Sequence, residues 1–197
     1  MDPVEPGLEV NGYDAVANVI SAFRLIPEIA FRIFCKHGLG RMDRDGKFVP
    51  DPRPWWPMEN YLAALFDISE AVGPSKTLAI GKRIPENAAL PANMHGIHSL
   101  FEAIDVAYHL NHRKNGKLMF DVATGRMTEG IGHYIYEPHP DENRITIVCE
   151  NPYPCDVDRG ILLGFALRFE PHAFVEHVRP ASCRKKGAAK CVYSITW

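Results

Sequence analysis

The sequence IGHYIYEPHPDENRITIVCE occupies residues 131–150 and contains two runs of strand-forming residues. Aromatic and β-branched side chains dominate the first run, Ile131–Tyr136, and polar and apolar side chains alternate along the second, Arg144–Glu150. Both patterns are typical of β-strands. Because residues 138–143 between them are rich in proline, aspartate and asparagine, which favour turns, we expect an antiparallel hairpin across this segment.

Helical periodicity precedes the hairpin, and a mixture of helix and strand follows it. The spacing of apolar residues predicts helices from near Asp14, from Pro27, and over residues 57–72, 75–84, 93–113 and 156–169, with strands over residues 173–178 and 191–197. The predicted fold class is α+β, with N-terminal helices packed on a mostly antiparallel sheet in a sandwich-like arrangement. Residues 1–13 are interpreted as a leader and residues 14–197 as one domain.

Composition narrows the class of protein. At 197 residues the chain is long enough to bury a full core, and its 46% hydrophobic and 23% charged residues are the usual globular mixture. The net charge of −2 gives no general attraction to nucleic acid, and basic residues between 179 and 190 are interpreted as a solvated turn. The sequence has no apolar run of membrane-spanning length and no export signal. We therefore expect a cytoplasmic protein without membrane or nucleic-acid partners.

Three cysteines near the C-terminus indicate a metal site. Cys155 stands where a helix is predicted to begin, and free amide groups there favour the thiolate. Cys183 and Cys191 are separated by a loop with a glycine at its midpoint, which suits a tight turn before a strand. Three thiolates with one carboxylate or imidazole, from Glu176 or His177, would complete a tetrahedral zinc site. The alternative is that these cysteines are buried structural thiols.

Both cysteine segments resemble the signature of the vinyl-four-reductase (4-vinyl reductase) domain. Residues 155–164 read as cysteine, four residues, glycine, three residues, glycine, and residues 183–191 as cysteine, three residues, glycine, three residues, cysteine. That family is related to the ligand-binding fold of haem nitric-oxide sensors and TRAPP trafficking subunits. The resemblance implies a module that is commonly a homodimer, with a structural zinc and a buried ligand pocket.

The resemblance also implies a set of metal ligands. In the family's aromatic-sensing regulators, three cysteines and one glutamate hold the zinc, and the cysteines correspond to the three named above. The position expected for the glutamate is Pro180 in this sequence. Either Glu176 or His177 could take its place, and we favour His177 slightly because imidazole suits zinc well.

The predicted helix 93–113 carries histidines on or beside its apolar face, and buried polar groups need partners. A ligand can supply them, so we expect a pocket under this helix for a small apolar or aromatic molecule, with the proline-rich loop before residue 57 closing its mouth. The candidate ligand-binding residues are Trp56, His98, Phe101, Tyr108, His133 and Tyr134. The helix has no His-Glu-x-x-His motif and no carboxylate at ligand spacing between its histidines, which argues against a catalytic zinc on it. Haem on a histidine is a less favoured alternative.

These observations favour a sensory or regulatory ligand-binding domain that signals through a dimer, a separate effector protein or a fused domain. An alternative is an enzyme or accessory protein that acts on a tetrapyrrole-like ring. A reductase needs a hydride source, however, and the sequence has no dinucleotide-binding fingerprint. A third hypothesis is a non-catalytic assembly subunit. We favour binding over catalysis and assign no catalytic residue.

Overall fold

The structure, a computed structural model, describes residues 4–22, 27–87 and 94–197. The α-helices of this part are α1 (Gly12–Ala22), α2 (Pro27–Lys36), α3 (Met58–Val72), α4 (Pro74–Asn87), α5 (Ile97–Glu102), α6 (Ile104–Leu110) and α7 (Cys155–Ala166). Its strands are β1 (Leu8–Asn11), β2 (Gly40–Met42), β3 (Phe48–Pro50), β4 (Trp55–Pro57), β5 (His112–Lys114), β6 (Lys117–Leu118), β7 (Phe120–Asp121), β8 (Arg126–Met127), β9 (His133–His139), β10 (Arg144–Glu150), β11 (Phe174–His177) and β12 (Cys191–Thr196). A turn of 3-10 helix covers Arg184–Lys186.

The predicted hairpin over residues 131–150 is confirmed as β9 and β10, with Ile147 opposite Tyr136. Further pairing extends it to the strand order β11-β12-β10-β9, and every neighbouring pair is antiparallel. Alternate residues such as Ile145, Ile147 and Tyr193 are fully buried, because α7 packs against this sheet. The α+β fold class, with helices packed on antiparallel strands, is therefore confirmed.

A second antiparallel sheet has the order β4-β1-β5-β6 and begins inside the predicted leader. Leu8–Asn11 form β1, which lies between β4 and β5. Leu8 and Val10 are buried, because alternate residues of this strand face the core. The interpretation of residues 1–13 as a leader is therefore wrong for β1 and for the start of α1, and residues 1–3 lie outside the described part.

The single helix predicted over residues 93–113 is wrong. Two short helices, α5 and α6, take its place, and Ala103 between them has φ −90° and ψ 0°. The chain then enters β5, and a two-residue turn joins β5 to β6. Asn115 and Gly116 in this turn have φ values of 51° and 78°, as Asn-Gly hairpin turns require. Because β5 also pairs with β1, the chain leaves the helical conformation before residue 113. Residue 93 lies outside the described part.

The other predicted helices are present with shifted ends. Those predicted from Pro27 and over residues 57–72, 75–84 and 156–169 correspond to α2, α3, α4 and α7. The first helix begins at Gly12, because the side chain of Asn11 accepts hydrogen bonds from the first amides of the helix. No helix among the described residues is both long enough and apolar enough to cross a membrane.

α4 and α7 cross closely because glycines face each other at the contact. A Cβ added at Gly160 would lie 2.2 Å from the carbonyl oxygen of Leu78, and one added at Gly81 would lie 2.1 Å from that of Val157. Both distances are far too short for a side chain, so this approach needs glycine. The contact explains why Gly160, the first glycine of the 155–164 segment, has no side chain. It also holds α7 in a fixed position over the sheet.

Candidate functional site

Three cysteine sulfurs meet at the N-terminal end of α7. Cys155 is the first residue of that helix, Cys183 precedes the 3-10 turn, and Cys191 is the first residue of β12. Their sulfur atoms all lie within 4.8 Å of one another, and those of Cys155 and Cys191 are 3.3 Å apart. Cys183 and Cys191 are buried, and Cys155 is half-buried. The cluster offers the donor atoms that zinc prefers in closed protein sites.

The loop between Cys183 and Cys191 folds back on the carbonyl group of Cys183. That oxygen accepts hydrogen bonds from the amides of Lys186, at 2.8 Å, and Ala188, at 3.1 Å. Gly187 has a φ of 87°, in the left-handed region that favours glycine. The turn therefore depends on this glycine, and it brings the two cysteine side chains together.

Two hydrogen-bonding contacts involve the sulfur of Cys191. It lies 3.3 Å from the sulfur of Cys155, either thiol can be the donor, and this contact is the largest cause of the lowered pKa of Cys191. The amide of Arg184 also donates to the Cys191 sulfur, at 3.4 Å. The contact between the two sulfurs raises the pKa of Cys155. The expectation of a thiolate at Cys155 stays a prediction, because this contact raises one pKa and lowers the other without fixing which sulfur is ionised.

Glu176 and His177, the two candidates for a fourth ligand, lie on opposite faces of the sheet. His177 is opposite Tyr193 and so shares the face that carries Cys191, whereas Glu176, opposite Ser194, is exposed on the other face. The His177 ring stacks on Tyr193 with 4.8 Å between the ring centroids. Its Nε2 atom is buried and has no hydrogen-bond partner in the described part of the chain. Neither candidate belongs to the close group of ligand atoms that the cysteines form.

A buried ion pair lies beside the cysteine cluster. The guanidinium of Arg184 donates to the carboxylate of Asp158 and, at 2.6 Å, to the side-chain oxygen of Asn151. The Asp158 side chain is fully buried and also accepts a hydrogen bond from the Tyr134 hydroxyl. Burial raises the pKa of Asp158, although Arg184 opposes the shift. The interpretation of Arg184 as part of a solvated turn is therefore wrong, because its partner lies on α7, remote in the sequence.

A cavity of about 80 Å³ lies between α1, α6, α7 and β1. Its wall combines apolar side chains, several aromatic side chains that carry polar atoms, and the polar residues Asn11, Asp14, Asn18 and Asn111. The apolar part includes Ile104, Ala107, Ile161 and Phe165. The polar aromatic part consists of Tyr61, Tyr108, His112, Tyr134 and Tyr153.

The polar aromatic side chains of this wall already have protein partners. The Nδ1 atom of His112 donates to the carbonyl oxygen of Tyr108 at 2.7 Å, and its Nε2 atom accepts from the Tyr153 hydroxyl at 2.8 Å. The Tyr108 hydroxyl donates to the carbonyl oxygen of Ile131 at 2.9 Å. Burial lowers the pKa of His112 to about 4 and raises the pKa of Tyr108, Tyr134 and Tyr153. These groups are therefore neutral near pH 7.

Of the six predicted ligand-binding residues, the structure places Tyr108 and Tyr134 on the cavity wall. Trp56 and Phe101 are buried but do not line it. Trp56 lies in β4, and its ring packs edge-on against Phe34 with 6.0 Å between centroids. Trp56 is therefore a core residue and does not close the mouth of the cavity.

The two histidines of the same prediction lie outside the cavity. His98 is exposed, and its Nδ1 atom is 2.8 Å from the Tyr136 hydroxyl. His133 is about a third exposed and contacts the carboxylates of Asp105 and Glu129. The apolar face of the predicted long helix was the reason for choosing His98, and that helix is divided in the structure.

The wall also contains three aromatic residues outside the predicted ligand-binding set, Tyr61, His112 and Tyr153. They come from α3, from β5 and from the segment before α7, which are far apart in the sequence. The Asn-Gly turn after β5 was a usable signal, because it places His112 on a strand instead of a helix. Nothing in the local sequence marks Tyr153 as part of the same wall.

A wider groove of about 700 Å³ passes the cysteine cluster. Its lining includes Cys155 and Lys185 together with the acidic residues Glu5, Glu70 and Glu150. The groove thus carries both signs of charge beside apolar surface. This mixture selects neither an anionic nor a cationic ligand, whereas the smaller cavity has a coherent aromatic wall.

No protein-family model matches the sequence, and no curated protein matches it. Solved structures do match. An H-NOX protein from S. oneidensis in the Fe(II)NO ligation state is similar over 92% of this chain and 97% of that chain, with a TM-score of 0.58 and 16% identity. This chain has the H-NOX fold.

Two further structures support the H-NOX fold. A mutant of the H-NOX protein from T. tengcongensis matches 94% of this chain and 96% of that chain, with a TM-score of 0.58 and 13% identity. A structure from a study of haem distortion in the H-NOX family matches 95% of this chain and 94% of that chain, with a TM-score of 0.58 and 14% identity. These likenesses establish the fold alone. They confirm the relation to the nitric-oxide-sensor fold, and they do not show the vinyl-four-reductase family.

Proposed function

We propose that this chain is a sensory domain that binds a small apolar or aromatic ligand in the cavity lined by Tyr108 and Tyr134. The observation that carries the proposal is the aromatic and apolar wall of that cavity. Small-molecule sites are typically concave, mostly apolar and provided with a few fixed polar groups. The H-NOX fold and the resemblance to the vinyl-four-reductase domain both support a role in ligand sensing.

The size and wall of the cavity limit the ligand. A volume of about 80 Å³ is roughly half that of an engineered ~150 Å³ protein cavity that holds benzene, so one aromatic ring is the upper limit and needs the wall to move outward as it binds. The polar atoms of His112, Tyr108 and Tyr153 are already hydrogen-bonded within the protein. An apolar ligand therefore leaves none of these atoms unpaired, whereas a sugar or phosphate finds few free partners.

The proposal includes one structural zinc ion bound by Cys155, Cys183 and Cys191. The donor set fits zinc, because three cysteine sulfurs lie close together and zinc favours thiolate ligands. His177 is the proposed fourth ligand, since its buried Nε2 atom has no partner among the described residues and it shares the sheet face of Cys191. When bound, the ion would tie α7 to β12 and to the loop before it.

Haem does not fit the described residues, although the H-NOX structures named above include a haem study and an Fe(II)NO complex. Pockets for drug-sized ligands have volumes of about 300–1,000 Å³, and haem is larger than most such ligands. The cavity here is about 80 Å³. His112, a histidine of its wall, has both ring nitrogens in hydrogen bonds. The same volume argues against a tetrapyrrole-like substrate.

A thermal-shift screen of benzene, phenol, indole, a fatty acid and haemin tests the proposed ligand class. A ligand at about a hundred times its dissociation constant should stabilise the fold by about 2.7 kcal/mol. We expect single-ring compounds to raise the melting temperature of the wild type. Ala107→Leu fills the cavity and should abolish this rise, whereas Ala123→Leu, on an exposed loop, should retain it.

Two outcomes of the screen would overturn the proposed function. One is that haemin alone stabilises the protein. The other is that Ala107→Leu responds to ring compounds as the wild type does. Native mass spectrometry of the untreated protein adds the zinc content and the number of copies, which separate signalling through a homodimer from signalling to a separate effector.

A further inference from the structure

A second group of metal-ligating side chains lies where α6 packs against β9, apart from the cysteine cluster. Asp105, His109 and His133 each bring one ligand atom within 4.8 Å of the others. Asp105 and His109 are four residues apart on α6, so they share a face of the helix, and the sequence-based statement that no carboxylate stands at ligand spacing between the histidines of the predicted helix is wrong. His133 is the first residue of β9. The helix thus supplies a histidine and a carboxylate, and the sheet supplies the second histidine.

His133 lies between two carboxylates. Its Nδ1 atom is 2.8 Å from Oδ2 of Asp105, and its Nε2 atom is 3.0 Å from Oε2 of Glu129. The other oxygen of Asp105 accepts a hydrogen bond of 2.9 Å from the amide of Tyr134. The Asp105 carboxylate is therefore held in one orientation by the sheet while it faces the histidine.

His109 has the hydrogen-bonding pattern of a metal-binding histidine. Its Nδ1 atom is 2.8 Å from the carbonyl oxygen of Asp105, and because a carbonyl only accepts, Nδ1 carries the proton. The Nε2 atom of the neutral ring then presents a lone pair. This atom is fully buried and has no hydrogen-bond partner in the described part of the chain. Metal-ligating histidines commonly donate their other ring N–H to a carbonyl or carboxylate in this way.

We propose that Asp105, His109 and His133 bind a divalent transition-metal ion such as Zn²⁺. Two imidazoles and a carboxylate are ligands that zinc and other first-row ions accept. Zinc–nitrogen bonds are about 2.0–2.1 Å long, which places tetrahedral ligands about 3.4 Å apart, so the three side chains close slightly around the ion. A dication also balances the charges of Asp105 and Glu129, which is 77% exposed.

The proposed site differs from the cysteine cluster in being open. Three protein ligands leave at least one position for water or for Glu129, and such open positions are typical of metal sites that bind or activate a further ligand. The competing explanation for the position of these three side chains is a hydrogen-bonded network without an ion. That network satisfies His133 and Asp105, but it leaves the buried Nε2 atom of His109 without a partner among the described residues. In the structure the His109 nitrogen 3.7 Å from Oδ1 of Asp105 is Nδ1, so the proposed ion requires the His109 ring to turn until Nε2 faces Asp105 and His133.

Titration of the purified full chain with Co²⁺ tests this proposal separately from the cysteine site. Cobalt bound to thiolates has an intense charge-transfer absorption that nitrogen and oxygen ligands do not produce. Besides any cobalt that the cysteines bind, we expect the wild type to bind one further equivalent of Co²⁺ that adds ligand-field bands without adding thiolate absorption. His133→Gln should weaken that binding at least about 100-fold, whereas His98→Gln, an exposed histidine on α5, should leave it unchanged.

His109→Gln provides the second test, with circular dichroism to show that each variant remains folded. It should lose the same equivalent of cobalt without any change in thiolate absorption. The proposal is overturned if the wild type binds cobalt with thiolate absorption only, or if His133→Gln binds the thiolate-free equivalent as tightly as the wild type. Failure of the cysteine zinc site alone would change the thiolate absorption and leave these outcomes intact.

Discussion

The hydroxyl of Tyr134 donates a hydrogen bond of 2.6 Å to the carboxylate of Asp158, and this contact connects the cavity with the cysteine cluster. Tyr134 lines the cavity. Asp158 is paired with Arg184, whose amide donates to the sulfur of Cys191. A ligand that displaces Tyr134 would therefore act on the cysteine cluster through direct contacts. The two proposed features of the sensor, the cavity and the zinc site, are parts of one buried polar network.

Tyr134→Phe tests the first contact of this network. The substitution removes only the hydroxyl. The Oδ1 atom of Asp158, which accepted the hydrogen bond from that hydroxyl, then keeps only a weaker 3.3 Å hydrogen bond from Asn151. Because a buried acceptor loses its best donor, we expect the free energy of unfolding to fall by about 1–3 kcal/mol in urea denaturation. Tyr13→Phe is the matched control, since Tyr13 is 81% exposed, and its effect should stay within about 0.5 kcal/mol. Equal stabilities of the two variants would contradict a role for this hydrogen bond.

Asp158→Asn tests the ion pair. The substitution keeps the shape of the side chain but leaves the mostly buried guanidinium of Arg184 without a counter-charge. Breaking a buried pair from one side costs about 3–5 kcal/mol, which urea denaturation would measure as lost stability. Adding Arg184→Met should recover part of the loss, because no unpaired charge then remains. Asp141→Asn, in an exposed turn, is the control, and purely additive effects of the two substitutions would contradict the pairing.

The parts of the fold that are encoded locally could be predicted from the sequence. Residues 131–150 contain both strands of a hairpin and the turn between them, so their pattern alone predicts the pairing that the structure shows. Helices α2, α3, α4 and α7 were visible for the same reason. The helix predicted over residues 93–113 was wrong, because pairing of β5 with the remote strand β1 competes with local helix propensity.

The candidate site was harder to predict, because its contacts join distant segments. The spacing around Gly187 indicated that Cys183 and Cys191 could meet, and the structure brings both of them to Cys155. The burial of Arg184 depends on a carboxylate in α7, and a lysine-rich local sequence gives no sign of it. The cavity wall likewise combines α3, α6, β5 and β9, so no single stretch of the sequence contains its pattern.

Cys183→Ser tests the proposed zinc ion. Removing one ligand from a closed site leaves the remaining thiols without their ion, so we expect elemental analysis to show loss of zinc and thermal unfolding to shift to a lower temperature. A chelator should destabilise the wild type in the same direction. Cys35→Ser is the matched control, because Cys35 lies on α2 outside the cluster and should leave zinc content unchanged. Wild-type protein purified without chelator that contains no zinc would contradict the site.

The burial of His112 predicts that the free energy of unfolding decreases as the pH falls. Burial lowers its pKa from 6.5 to about 4, so below pH 6.5 the unfolded chain takes up a proton that the folded chain does not. Stability is therefore lost as the pH falls, and between pH 7 and pH 5 this residue should lower the free energy of unfolding by about 2 kcal/mol. The loss continues towards the folded-state pKa and stops below it.

His112→Gln should remove this contribution, so its stability should fall less than that of the wild type between pH 7 and pH 5 in urea denaturation. The hydrogen bond to Asp105 raises the pKa of His133, which adds stability as the pH falls, and this opposite effect is common to all variants compared. His95→Gln, at an exposed position, is the control and should show the wild-type dependence. If His112→Gln loses as much stability as the wild type over this range, His112 is not held as a buried neutral histidine, and one support for an apolar ligand is lost.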